Sequence, residues 1–186
     1  GLVVIWCAPK SCKTFWTFDL AIHVALCWSY RDPRVAAGAI FYIAFYGERG
    51  LAARAEAFRR ERMTEEAGAP PFYLLTTRLD LAADAGLLIA DLKAQLPDTS
   101  FAAIVVDTLN RSIGGSESSD EDMGNYVKAA DSVREAFACT IIVIHHCGID
   151  DRRPRGHTSL AGAADAQIAV KREGEIIVAT VEFMKD

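Results

Sequence analysis

The chain has 186 residues, 51% hydrophobic and 24% charged, enough to bury a substantial core in one globular domain spanning 1–186. A formal charge of −5 argues against a freestanding electrostatic binder of nucleic acid, although a local basic loop is compatible with it. The apolar stretches are strand-sized and interrupted and no secretory leader precedes them, so we expect no membrane span, no signal peptide and a cytoplasmic protein.

Leu2 to Trp6 reads as a buried strand, and Gly1 stands in this strand-like run without an initiator Met, so we expect a domain excised from a longer protein. The strand breaks into Cys7 to Trp16, a phosphate-binding loop of the form G-x-x-x-x-G-K-[ST] with Cys7 and Cys12 at the two glycine positions. The nucleotide-binding stretch is then Ala8, Pro9, Lys10, Ser11, Cys12, Lys13, Thr14 and Phe15. Successive backbone N–H groups would wrap the β-phosphate, Lys13 would reach the β- and γ-phosphates, and the Thr14 hydroxyl would ligate Mg²⁺. Glycine is preferred at 7 and 12 because it accepts φ > 0 and leaves the phosphate room; a Cβ costs on the order of 1–2 kcal/mol per left-handed residue. Cys is small, so binding is expected to survive weakened. A strand–turn–helix with a chance Lys-Thr gives the same local pattern.

The five cysteines, at 7, 12, 27, 139 and 147, contain no CxxC pair and fit neither a secreted disulfide framework nor a zinc spacing. Cys139 reads as core. A Cys7–Cys12 disulfide or soft-metal pair explains the loop less well than Lys13-Thr14 does.

A helix follows over roughly 14–27, with Phe15, Phe18, Leu20, Ile22 and Leu26 as its apolar surface. Residues 39–45 read as the next buried strand, 51–66 as a charged helix stopped by Gly68-Ala69-Pro70-Pro71, and 72–76 as a short strand. A helix over 81–96 ends at Pro97, 101–109 reads as a strand buried on both faces, and 121–137 as a further helix. After the strand 140–146 come a polar loop, a small Ala-rich helix near 159–164, and a β-hairpin turning at Glu173-Gly174-Glu175. The alternation predicts an α/β fold: a mainly parallel sheet with helices on both faces, right-handed crossovers, a C-terminal antiparallel hairpin, and ligand at the strands' carboxyl ends.

Three further sites fall at such ends. Asp107 closes an apolar strand as a Walker-B carboxylate does, holding Mg²⁺ beside Thr14, although many strands end in Asp for a turn or cap. The pair His145-His146 suits a γ-phosphate sensor, with His146 the better placed member; a satisfied imidazole pair or a metal site are the alternatives. Adjacent strand residues face opposite ways, which disfavours a shared metal. The loop 150–159 carries Arg152, Arg153 and Arg155: a solvated turn, an arginine finger, or phosphate contacts to nucleic acid.

The segments CAPKSCKTFWTFDLAIHVA, IFYIAFYGERGLAARAEAFR, AAIVVDTLNRS, DEDMGNYVKAADSVREAF, IIVIHHCGID and RPRGHTSLAGAADA together resemble the RecA-like ATPases of the plasmid RepA helicase type, often classed as an AAA-type ATPase domain. The resemblance covers nearly the whole chain. It implies a RecA-like P-loop NTPase fold, ATP and Mg²⁺ as ligands, a hexameric homo-oligomeric ring and single-stranded DNA as partner. By that resemblance Lys13 and Thr14 bind phosphate and metal, Asp107 is the Walker-B carboxylate, His146 the sensor, and Arg155 a finger acting in trans.

Such proteins carry a catalytic Glu after the second strand, where this chain has Tyr46. A phenol with a pKa of about 10 is no carboxylate base at neutral pH. Glu48, two residues on, lies along the same face if the strand continues. Positions 7, 12 and 46 are thus altered together, which keeps two functions open: an ATP-hydrolysing motor, or a nucleotide-binding or structural module with an inactive P-loop. A nucleoside or small-molecule kinase is disfavoured by the lack of a recognisable acceptor pocket.

Overall fold

Seven strands and six helices alternate along the described residues of the computed structural model, which are 1–8, 11–30, 36–45, 48–63, 68–148 and 154–185. β1 (Leu2–Cys7) leads to α1 (Lys13–Ala25), β2 (Ala39–Ala44) to α2 (Glu48–Arg62), and β3 (Phe72–Leu75) to α3 (Leu81–Gln95). β4 (Phe101–Asp107) is followed by the short α4 (Leu109–Ser112) and by α5 (Asp120–Phe137). β5 (Thr140–His146), α6 (Thr158–Ala163), β6 (Ala166–Glu173) and β7 (Ile176–Met184) complete the order.

All seven strands form one sheet, ordered β3-β2-β4-β5-β1-β6-β7. Every pairing is parallel except β6 with β7, so the expected α/β class and C-terminal hairpin are both present. The central strands are near-continuous apolar runs because helices cover both faces. On one face α3 contributes Leu81, Ala85, Leu88 and Leu92, and α5 contributes Met123, Tyr126, Ala130 and Val133, against Val4, Trp6, Ile104 and Val143. On the other, Phe18, Ala21, Ile22 and Ala25 of α1 meet Ile40, Tyr42, Val105 and Ile144. Leu51 is the buried residue that α2 adds there, and the rest of its described side chains are partly or fully exposed. A third cluster joins Ile5, Cys7, Trp16, Tyr30 and Val170, seating β6 and β7 against α1.

Local chemistry sets the helix ends. Asp80 caps α3 by accepting from Ala82 N at 3.1 Å, and Ser119 caps α5 by accepting from Asp122 N at 3.2 Å. α1 ends in a Schellman turn: Trp28 N donates to His23 O at 2.9 Å and Cys27 N to Val24 O at 3.2 Å, with Cys27 at φ 56 in the left-handed place that glycine favours.

Four expectations are corrected. The fourth strand stops at Asp107 rather than 109, because Leu109 already belongs to α4. The second helix begins at Glu48, not near 51, and stops at Arg62. α1 stops at Ala25 rather than 27, where its closing turn takes over. Phe15 is not core but 52% exposed, since it points away from the sheet at the first turn of α1. Cys139 is buried as expected. No helix among the described residues is long and apolar enough to cross a membrane.

Candidate functional site

β1 lies beside β5, and β5 beside β4, so their carboxyl ends bring Cys7, His146 and Asp107 to one edge, with Cys7 in register with His146 and Asp107 with Ile144. α1 starts at this edge. Its N-cap, Cys12, sits at φ 64 and ψ 21, left-handed, and gives the first turn no side-chain hydrogen bond. Ser11 N donates to Ala8 O at 3.3 Å, tightening the loop; Pro9 and Lys10 lie outside the described residues. The first-turn N–H groups are left for another acceptor, at the end of α1 where the peptide dipoles favour an anion.

The two cysteines at the glycine positions differ. Among the described residues Cys12, Cys27 and Ala138 are the non-glycine residues with positive φ, so Cys7 keeps an ordinary strand backbone and only Cys12 bears the conformational cost. Cys7 is buried, its thiol donates to Ala8 O at 2.9 Å, and burial pushes its pKa up. Both thiols are free.

Lys13 is 6% exposed and its Nζ lies 3.2 Å from His146 Nδ1. Burial first, and the neighbouring ammonium second, lower the His146 pKa to about 4. At neutral pH its Nδ1 therefore accepts from Lys13, which puts the ring proton on Nε2. Among the described residues no carboxylate lies within ion-pair distance of Lys13 Nζ, which leaves this buried ammonium short of a counter-charge. His145 faces the other side, as strand alternation requires. It is fully buried, its Nε2 donates to Arg155 O at 2.7 Å, and its Nδ1 has no hydrogen-bond partner.

Asp107 is 5% exposed. Its Oδ2 accepts from Tyr42 Oη at 3.0 Å, while Oδ1 is buried without a hydrogen-bond donor. Burial raises its pKa, opposed in turn by Thr14, Tyr42, Lys13 and Arg54. The Thr14 hydroxyl stands close enough to the Asp107 carboxyl to act against its raised pKa, and the two together are an oxygen donor set suited to a hard divalent cation, so Thr14 and Asp107 fit Mg²⁺.

Arg155 is placed differently from its neighbours. Its Nε and Nη2 donate to Glu117 Oε2 and Oε1 at 2.8 and 2.7 Å, a two-pronged pair in which Glu117 is 11% and Arg155 51% exposed. Burial acts to raise the Glu117 carboxyl, but Arg155 and His145 outweigh it and hold the pKa low. Arg155 N also donates to His146 O at 2.9 Å, and Gly156 takes φ 90, where a Cβ would stand 2.6 Å from Glu117 O. Arg152 and Arg153 lie outside the described residues.

The structure thus gathers Cys12, Lys13, Thr14, Asp107 and His146, and ties Arg155 to the loop between α4 and α5. Glu48 is not on an extension of the second strand: β2 ends at Ala44 and Glu48 opens α2, while its side chain and all of Tyr46 lie outside the described residues. Phe15 borders a cleft of about 520 Å³ between α1 and α2, lined also by Phe18, Ala53, Arg54 and Phe58. Tyr42, Glu117 and Arg54 carry no motif and emerge only from the fold. The one sequence signal for Glu117 is its acidic loop, complementary to the arginines at 152–155.

A family described as an AAA domain matches residues 1–152. The solved structure titled "Crystal structure of the RadB recombinase" shares the fold at a TM-score of 0.65 and 15% identity, over 99% of this chain and 81% of that one. No curated protein matches the chain.

Proposed function

The chain belongs to the AAA domain family, and with its RecA-like P-loop ATPase fold as premise we propose that it binds ATP with Mg²⁺ at the loop between β1 and α1 and hydrolyses it as a motor domain. The observation that carries this reading is the start of α1: an uncapped first turn, a buried Lys13 short of a counter-charge, and an Asp107 oxygen without a donor, all at one sheet edge. Thr14 and Asp107 would hold the metal, which supplies charge neutralisation on the phosphates. Lys13 moves from a neutral imidazole acceptor to a phosphate, exchanging a weak partner for a charged one. His146, its ring proton on Nε2, is the donor available to a γ-phosphate, and its backbone carbonyl holds Arg155 N. The cleft beside Phe15, between α1 and α2, is the space proposed for the base.

The finer reading follows the resemblance to plasmid RepA-type helicases: a homo-oligomeric ring, single-stranded DNA as partner, and Arg155 acting on the nucleotide of a neighbouring subunit. Arg155 must leave Glu117 to do so, which makes that ion pair a gate on turnover. Arg155→Ala should abolish phosphate release, a loss on the order of 10³-fold, and spare ATP binding. Equal loss of binding in a protein that stays monomeric contradicts the finger.

Cys12 and Tyr46 favour a second reading, a nucleotide-binding module without turnover. Restoring glycine at 7 and 12 and glutamate at 46 should then create phosphate release. A well-folded triple variant that stays inert contradicts this explanation of inactivity.

A further inference from the structure

We propose that Tyr42 is a positioning residue for Asp107, fixing which carboxylate oxygen is left for a divalent cation and so setting the cation affinity of the site. This rests on the reading of the loop as a MgATP site and adds a residue that no motif marks.

β2 and β4 pair in parallel, with Tyr42 level with Val105 and Ala44 level with Asp107. Side chains two apart on a strand share a face, and two residues span about 6.6 Å. A tyrosine two places before the level of Asp107 therefore reaches it end-on, across the small Ala44. No shorter side chain at 42 spans that gap.

The phenol is held there. Tyr42 is fully buried, its ring stacks on Phe72 at 5.9 Å and meets Phe18 edge-on at 6.4 Å. Its hydroxyl donates to Asp107 Oδ2 at 3.0 Å, and Oδ1 is left without a donor. A carboxylate at the end of a strand turns about χ2 over a broad range unless something pins it. With Oδ2 held by the phenol, Oδ1 keeps one orientation, so a cation meets a preformed ligand and loses less freedom in binding it.

The plainer alternative is that Asp107 merely satisfies a buried hydroxyl. The two accounts separate on metal dependence. A fluorescent ATP analogue is titrated into the wild-type chain, Tyr42→Phe and Asp107→Asn, first in EDTA and then at rising Mg²⁺. Tyr42→Phe keeps the ring and its packing and removes only the hydroxyl. We expect it to raise the Mg²⁺ concentration for half-maximal enhancement by about fivefold, in line with one lost hydrogen bond, and to leave metal-free binding unchanged. Asp107→Asn should lose most of the Mg²⁺ enhancement. If Tyr42→Phe follows the wild-type Mg²⁺ curve while Asp107→Asn does not, Tyr42 has no positioning role and the cation site stands. If Tyr42→Phe weakens metal-free and metal-dependent binding alike, its role is structural and the proposal fails. If Asp107→Asn also follows the wild-type curve, or the wild type shows no enhancement, the cation reading itself fails and takes the proposal with it.

Discussion

Both ends of α1 hold a cysteine in left-handed backbone, Cys12 at φ 64 before the first turn and Cys27 at φ 56 after the last. The strain is alike, on the order of 1–2 kcal/mol at each place. The surroundings are not. Cys27 is exposed in a Schellman turn whose two backbone bonds form regardless of its side chain. Cys12 stands in the loop proposed to take the phosphate, next to buried Lys13 and in a cap that leaves the first-turn N–H groups without a side-chain partner. One departure from glycine is therefore expected to affect stability alone, and the other stability and nucleotide binding together.

Alkylation should separate the two ends most sharply. Iodoacetamide added to Cys12 places new bulk at the mouth of the loop and is expected to weaken binding of an ATP analogue at least about tenfold, since the phosphate would have to displace it. The same reagent on Cys27 should leave binding unchanged. Peptide mass mapping of partly labelled protein, matched to its nucleotide affinity, reads this directly, and a Cys12→Gly background should abolish the sensitivity. Retained affinity in protein fully labelled at Cys12 would break the comparison.

Cys12→Gly is the next largest effect. It should raise unfolding free energy by about 1 kcal/mol and tighten nucleotide binding as well, because the strain and the Cβ are removed at once. Cys27→Gly should give a similar gain of about 1 kcal/mol with no change in binding. Urea denaturation paired with a nucleotide titration checks both. A binding change in Cys27→Gly, or none in Cys12→Gly, would erase the distinction.

A further test concerns pH, because at the N-terminal end of α1 Lys13 has a titrating partner. The His146 pKa is about 4 in the folded chain against 6.5 for a free imidazole. Between those values the unfolded chain binds the extra proton, so this contribution is complete above pH 6.5 and is lost as pH falls towards 4. His145, depressed chiefly by burial, acts in the same sense. Buried Asp107, with its pKa raised, opposes both over the part of this range below its own pKa. His146→Gln should flatten the fall in thermal midpoint between pH 7 and 5 relative to wild type. An unchanged slope contradicts the buried neutral imidazole.

Where the candidate site residues follow from local pattern, their place on the strands and helices is legible in the sequence. Lys13, Thr14 and Asp107 each close an apolar strand or open a helix, and strand alternation alone separates His145 from His146. The sheet class follows from alternating strand and helix segments for the same reason. What escapes is lateral. Tyr42 reaches Asp107 across a strand pair whose order, β2 beside β4, no local rule dictates. Glu117 finds Arg155 across 38 residues through two loops. Phe15 looks like core by helical spacing, yet it occupies the first turn at the open edge of the sheet. Glu48 is a strand residue only if β2 runs on, and the chain turns into α2 instead.

The most direct test of the central claim, that this loop takes a nucleotide despite Cys12, is a titration of a fluorescent ATP analogue with Mg²⁺ under reducing conditions, on this chain and on Lys13→Ala. The account predicts saturable binding that the variant loses by about 100-fold, as expected when a buried charge-assisted contact is removed. A folded protein that binds nothing, or binds equally well without Lys13, would contradict it: the fold would then have kept the shape of a phosphate loop and lost its use.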